Sequence, residues 1–287
     1  MSILGNFLRL ICVVIGLVLL SAFVGLFTNG IQLDMRLYID SVIHIIYSLI
    51  QPQNLVFIGP TGFEYSIYTN FWDYYFYSTI IFLTALLMAI IVGVFISYLT
   101  TLLPKRSNLI VVKIASLLDS IPDLFIIIII QFCALYYYQQ TGTKLFSIIG
   151  TAQNRTYILP IIALALIPSL MIFRVILYLV NDELEKTYVQ LAKGKGFTRT
   201  YVFFKHVLRN IAPSIIIHSK SIILIILSSM VIFEKLFNIH GIFTFITEYH
   251  EPEIIAFSLV MIYLPIFIVY TSLTGFIFKK TGQRLEW

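Results

Sequence analysis

The sequence predicts an all-α fold, that of a polytopic membrane protein with about six transmembrane helices. Hydrophobic residues make up 59% of the 287 residues and charged residues only 11%, whereas soluble globular proteins carry about 25% charged residues. Uncharged apolar runs recur at a length of about 20 residues, which crosses a hydrocarbon core roughly 30 Å thick as a helix. Because the backbone of such a run needs internal hydrogen bonds in lipid, the runs are predicted to be helical.

Six apolar runs are interpreted as membrane spans. They are predicted at residues 7–27, 77–103, 114–138, 157–180, 214–233 and 254–278. The first run could also be a signal peptide, but it is long and lacks a clear small-residue cleavage site, so we interpret it as a retained helix. The chain then divides into a first span (1–27), an extracytoplasmic segment (28–76) and a core with five helices (77–287).

The basic residues predict that both termini are cytoplasmic. With the N-terminus inside, the inner loops hold twelve Lys and Arg residues and the outer segments hold four, which agrees with the positive-inside rule. The twelve are Lys105, Arg106, Lys113, Lys186, Lys193, Lys195, Arg199, Lys205, Arg209, Lys279, Lys280 and Arg284; the four are Arg36, Lys144, Arg155 and Lys235. The net charge of +5 therefore reflects membrane topology, and no nucleic acid is expected as a partner.

The outer segment 28–76 is predicted to form a small folded cap. It is too long for a turn and too apolar for a disordered linker. Apolar residues recur at helical spacing between Ile43 and Ile50, and turn signals follow at residues 51–52 and 59–62.

The inner segment 181–213 is predicted to contain two short amphipathic helices joined by a glycine bend. In the first, apolar residues recur at helical spacing over 184–191, with acidic residues near the expected helix start, where carboxylates favour the helix dipole. Glycines at 194 and 196 interrupt this pattern. The second helix is predicted over 198–213, with Thr198 as its N-cap.

The same inner segment carries a family resemblance. Residues 188–197 read Tyr-Val-Gln-Leu-Ala-Lys-Gly-Lys-Gly-Phe, and residues 205–213 read Lys-His-Val-Leu-Arg-Asn-Ile-Ala-Pro. Together they resemble the Glu-Ala-Ala loop of ABC importer permeases, in the form found in oligopeptide, dipeptide and nickel transporters. Arg174 also matches a family arginine near the inner end of the fourth span. Departures are Gln190, where the wider family has Glu, and Gly194, where the peptide transporters usually have Ala.

In such permeases this loop docks into a cleft on the ATP-hydrolysing subunit, so the resemblance implies a set of coupling residues. They are Tyr188, Gln190, Leu191, Ala192, Gly194, Gly196, Phe197, His206, Arg209, Asn210 and Pro213.

The resemblance extends from about Phe71 to the C-terminus. Residues 120–122 match a Ser-x-Pro element of the third span, and residues 229–234 resemble the end of the fifth span, followed by an outer turn at 240–243 that departs from the family's Pro-Gly-x-Gly. Glu234 in this region either lies near the outer gate that faces the binding protein, as the resemblance implies, or ends the fifth span in solvent.

Two carboxylates flank Pro122 in the third predicted span. Asp119 and Asp123 are four residues apart, which predicts that they share one helix face. Two interpretations stay open, because a carboxylate inside a membrane usually faces a cavity or a partner. They form part of the wall of a translocation path, or they satisfy backbone and hydroxyl groups around the interruption at Pro122.

The resemblance implies a non-catalytic translocation subunit in the bacterial inner membrane. It would pair with a second, similar permease, bind two ATP-binding subunits and receive substrate from an extracytoplasmic binding protein. The Gly-Lys-Gly at 194–196 lacks the rest of a phosphate loop, and the histidines lack metal-ligand spacing. No cofactor or metal is therefore expected on this chain, and ATP and Mg are expected on the partner subunits.

Short peptides are the expected substrate, with nickel or its chelates as the alternative. A stand-alone secondary transporter is the alternative of another class. Such transporters often contain inverted repeats, and no internal repeat stands out in this sequence.

Overall fold

The structure is a computed structural model that describes residues 3–25, 34–59, 62–151 and 154–281. The predicted helical membrane fold is confirmed, since within these residues six helices are long and apolar enough to cross a membrane. These spans are Gly5–Phe23, Ile67–Leu102, Asp123–Thr141, Ile158–Leu184, Arg199–Leu236 and Pro252–Phe276. Arg284 and Trp287, in the C-terminal segment predicted to be cytoplasmic, lie outside the described residues. So do residues 28–33 of the outer segment.

The elements follow one another in a mostly helical order. They are α1 (Ile3–Gly25), α2 (Met35–Ile50), a 3-10 turn (Pro52–Asn54), β1 (Val56–Ile58), β2 (Glu64–Ser66), α3 (Ile67–Leu102), α4 (Lys105–Asp119), α5 (Asp123–Thr141), α6 (Ile158–Leu184), α7 (Thr187–Gly194), α8 (Arg199–Tyr201), a π-helical turn (Val202–Val207), α9 (Leu208–Leu236), α10 (Ile242–Glu248) and α11 (Pro252–Thr281). They group into two compact units, one of Met1–Thr79 with His240–Gly275 and one of Ile80–Ile239 with Phe276–Trp287.

The first unit has an aromatic core. The strands β1 and β2 form a short antiparallel hairpin, an exception to the predicted all-α composition, and Phe57 of β1 points into the core. The ring of Phe245 on α10 lies 5.2 Å from that of Phe57 and 5.6 Å from that of Phe71 on α3. Edge-on contacts of this kind stabilise aromatic clusters beyond the area that they bury.

The helix α3 begins at Ile67, well before residue 77, where the sequence predicts the second span to start. The polar residues Thr69, Asn70 and Asp73 lower the hydropathy of this stretch and hide its helical continuity. Phe71 and Tyr75 on the same stretch are buried in the aromatic core, which explains why the helix forms there.

The second unit contains α4 to α9. The third span predicted from the sequence lies in this unit, and its predicted continuity is wrong. The helix expected over 114–138 is broken at residues 120–122 into α4 and α5. Proline lacks a backbone N–H and disfavours helical geometry in the residue before it. Pro122 therefore ends the helical run of α4 and stands as the N-cap of α5, and only Asp123–Thr141 qualifies as a span.

Two boundaries of the inner segment are also corrected. The helix α6 continues to Leu184, so the acidic residues at 182 and 183 lie at its C-terminal end and not at the start of a new helix. The helix that begins at Arg199 runs on through the π-helical turn and α9 to Leu236, with Pro213 inside it. The proline costs one intrahelical bond, and both Pro213 and Ile211 are buried at this point of the helix.

The helices α3 and α6 approach closely in this second unit. A methyl group placed on Gly93 would lie only 2.6 Å from Cγ2 of Ile172, and the hydroxyl of Ser97 donates to the carbonyl of Phe173 at 3.1 Å. Small residues on one face of a membrane helix allow this close packing, because lipid supplies no hydrophobic drive between helices.

Candidate functional site

The bend between the two inner helices is confirmed, and one glycine carries it. The amide of Gly196 donates to the carbonyl of Lys193 at 3.0 Å, and the amide of Phe197 donates to the carbonyl of Ala192 at 3.3 Å. This pair of bonds is the Schellman motif, which needs a left-handed residue after the helix. Gly196 supplies it with a φ of +82°.

The chain after the bend is anchored by the predicted N-cap. The hydroxyl of Thr198 accepts a hydrogen bond from the amide of Tyr201 at 3.3 Å, which satisfies one of the free donors at the start of α8. The ring of Phe197 stacks on that of Tyr201 with centroids 4.9 Å apart. The helix end, the bend and the next helix start are therefore each fixed by specific contacts.

The inner loop, defined here as residues 187–201, presents apolar side chains together with positive charge. Leu191 is 60% exposed and Phe197 45% exposed, and Tyr188 and Tyr201 are also exposed. The basic residues on and beside this loop are exposed as well; they are Lys193, Lys195, Arg199, Lys205 and Arg209. An exposed apolar surface rimmed by charge is typical of a protein docking surface.

The other predicted coupling residues divide by burial. Gln190, Gly194, Gly196 and Asn210 are exposed along with the residues named above, whereas His206 is half-buried. Ala192 and Pro213 are buried within this chain. They support the loop from within.

A buried carboxylate lies behind the loop and escaped the sequence analysis as a site. Glu183 at the end of α6 is only 4% exposed. Its carboxylate accepts hydrogen bonds from the Lys186 ammonium at 2.6 Å, from the Tyr188 hydroxyl and from the side-chain amide of Asn210. Partial burial, and then the hydrogen bond to Glu183, raise the pKa of Tyr188, so its hydroxyl stays protonated as a donor.

The local sequence gave little sign of this cluster. Lys186 lies only three residues after Glu183, but Asn210 is 27 residues away in the chain. Only the fold brings the end of α6, the start of α7 and the start of α9 to one carboxylate.

Asp119 and Asp123 do not share a helix face, and that prediction is wrong. Asp119 ends α4 and forms an ion pair with Arg174 on α6. Asp123 begins α5 and accepts a hydrogen bond from the hydroxyl of Ser229 on α9 at 2.5 Å. The break at Pro122 separates the two carboxylates, and each has a partner within the chain.

Arg174 links this ion pair to a cavity. Its side chain is 39% exposed, against 16% for Asp119, so Arg174 is the more exposed member of the pair. It lines a cavity of about 420 Å³ together with Tyr178 on α6 and with His218 and Ser221 on α9. The exposed polar side chains His218 and Ser221 lie within a membrane span, where such groups usually face a cavity or a water-filled path.

The outer end of α9 is buried, so the interpretation that Glu234 ends the fifth span in solvent is wrong. Glu234 is only 1% exposed, and its carbonyl accepts from the amide of Ile239 at 2.7 Å. The turn that follows has a left-handed Asn238, whose side-chain amide donates to the carbonyl of Gly150 at 2.9 Å. A methyl group on Gly150 would lie 2.7 Å from the carbonyl oxygen of Asn238, so glycine is required at this contact.

Comparison with known proteins finds one family. The profile of the family described as binding-protein-dependent transport system inner membrane component matches residues 89–283, more than half of the chain. The matched region includes α4 to α10, and with them the inner loop, Glu183 and the ion pair of Asp119 with Arg174. None of the curated proteins matches the chain.

Proposed function

Because the chain belongs to the inner membrane components of binding-protein-dependent transport systems, the permease subunits of ABC importers, we propose that it forms half of a translocation path for short peptides. The observation that carries this proposal furthest is the inner loop, in which the bend at Gly196 holds α7 and α8 and leaves apolar and basic side chains exposed. A surface of this kind, on a loop between two spans, suits a partner that pushes on the membrane helices.

The proposed partners follow from the family and from the position of the loop. Two ATP-binding subunits bind ATP and Mg. One docks on the inner loop of this chain and the other on the corresponding loop of a second, similar permease. An extracytoplasmic binding protein delivers the substrate, and the assembly lies in a bacterial inner membrane. Glu234 and the closed turn after α9 are proposed to belong to the outer gate.

The proposed mechanism is alternating access. Closure of the ATPase pair on ATP moves the inner loop, and the loop is continuous with α9 and separated from α6 by only two residues. A rigid-body shift of the loop therefore reaches both spans directly, which is one of the established ways in which a local event becomes a domain movement.

A peptide is favoured over a bare nickel ion by the chemistry of the cavity beside Arg174. Its described lining includes the guanidinium of Arg174, a group that binds carboxylates such as a peptide terminus, whereas a free nickel ion would find one imidazole, that of His218, and no carboxylate ligand there. A nickel chelate that carries its own carboxylates remains the second candidate.

The experiment is to purify the chain through an affinity tag from its native membranes and to identify the proteins that accompany it. Two ATP-binding subunits and a second permease should be recovered in fixed stoichiometry, and the complex should hydrolyse ATP. The chain purified singly should be inert. Recovery of this chain without an ATP-binding subunit, or ATP hydrolysis by the chain itself, would contradict the proposal.

A further inference from the structure

We propose that Glu183 is a positioning residue that ties the inner loop to both neighbouring spans, so that ATP hydrolysis stays coupled to substrate delivery. The inference rests on the proposed function, because coupling has a meaning only if ATPase subunits dock on this loop. Because Glu183 is buried, the proposal includes no direct contact between its side chain and the ATPase subunits.

Glu183 connects the end of α6, on which it lies, with α7 and α9. It lies in the last turn of α6, one residue before the end of that span. Tyr188, on α7, belongs to the loop, and Asn210, on α9, belongs to the next span. Both donate to the same oxygen of the Glu183 carboxylate, and Lys186 donates to the other.

The loop needs such a tie. The helix α7 has only eight residues, and helices of that length are marginal in water without tertiary contacts. Val189 and Ala192 bury one side of it, but apolar contacts are not directional and allow a short helix to rotate. The hydrogen bonds from Tyr188 on α7 and from Lys186 just before it to one charged carboxylate fix its orientation, because charge-assisted bonds are about twice as strong as neutral ones.

The test replaces Glu183 by glutamine, which keeps the size of the side chain and replaces one acceptor oxygen by a donor NH2 group. Glutamine keeps one acceptor oxygen in place of two, so its nitrogen would face either the Lys186 ammonium, which has no acceptor, or the pair of Tyr188 and Asn210 that now share one oxygen. Glu185→Gln is the matched control, since Glu185 is exposed and two residues away. The measurement is the ratio of ATP hydrolysis by the purified complex with and without substrate-loaded binding protein, along with the number of ATPase subunits retained.

The expected result is that the Glu183→Gln complex retains its ATPase subunits but that its stimulation ratio falls to unity. The Glu185→Gln complex should keep the wild-type ratio. A residue needed only for folding would lower the yield of complex and leave the ratio of the remaining complex unchanged. A wild-type ratio in Glu183→Gln would overturn the inference and leave the permease assignment standing, whereas a wild-type chain without ATPase subunits would overturn the assignment itself.

A second variant decides the matter if Glu183→Gln does not assemble. Asn210→Ala removes only the link to α9 and leaves the carboxylate paired with Lys186 and Tyr188, so no buried charge is left without a partner. Its stimulation ratio should fall below that of wild type. Where the double variant with Glu183→Gln assembles, its stimulation ratio should be no lower than that of Glu183→Gln alone, because the effects of residues in one network are not additive. A wild-type ratio in Asn210→Ala would contradict the tie.

Discussion

Gly196 lies two residues after Gly194, yet only Gly196 has a left-handed backbone. Its φ is +82°, whereas Gly194 is the last residue of α7. A Cβ at either position would meet open space, so the difference between them is one of backbone conformation and not of crowding. The two glycines of the bend therefore have unequal roles, although the sequence presents them as a pair.

Replacing Gly196 by valine is expected to weaken docking of the ATPase subunits and to lower substrate uptake. An L-residue in the left-handed region costs about 1–2 kcal/mol, and a β-branched one more. A change of one or two kcal/mol is a factor of roughly 5–30 in an equilibrium, so retention of the ATPase subunits should fall by that order. Uptake and co-purification of the subunits measure both effects.

Gly194→Val is the matched control for this prediction, and Lys205→Ala is a second. Gly194→Val makes the same chemical change two residues away without the backbone penalty, and Lys205 is an exposed residue after the bend. Both should retain more uptake than Gly196→Val. Full uptake with a complete set of ATPase subunits in Gly196→Val would show that this bend is not the coupling element.

The ion pair of Asp119 with Arg174 is expected to contribute to stability. Asp119→Asn should lower the free energy of unfolding by about 1–3 kcal/mol, less than for a fully buried pair, because the Arg174 side chain is 39% exposed. Thermal unfolding in detergent measures the loss, with Asp182→Asn, at an exposed position, as the control. The exchange of the two charges, Asp119→Arg with Arg174→Asp, should recover part of the loss, and equal stability of Asp119→Asn and Asp182→Asn would refute the pairing.

The predicted orientation is tested by cysteine labelling in intact cells. In a background without Cys12 and Cys133, single cysteines are placed at Lys195, Glu64 and Trp287. An impermeant reagent should label only the cysteine at Glu64, because the positive-inside rule puts the other two positions in the cytoplasm. Labelling at Lys195 and not at Glu64 would reverse the topology.

The sequence predicted six spans, though not the early start of α3 or the break at Pro122, because apolar runs of this length form helices in lipid. It predicted the bend at Gly196 and the cap at Thr198 because both depend on local backbone chemistry. It misplaced Asp119 and Asp123 because a four-residue spacing implies one helix face only if the helix continues, and Pro122 ends it. It placed Glu183 near the start of a helix and did not predict its partner Asn210, which is 27 residues away in the chain. Long-range pairing of this kind leaves no periodic signal.

ATP-driven uptake by the purified complex tests the central claim most directly. The complex isolated through this chain is placed in lipid vesicles, and labelled short peptides and the binding protein are added outside. The account predicts that peptide accumulates only when ATP is enclosed in the vesicles, and that vesicles holding this chain alone accumulate none. Accumulation of peptide by the chain alone, driven by an ion gradient without ATP, would contradict the account and identify a secondary transporter.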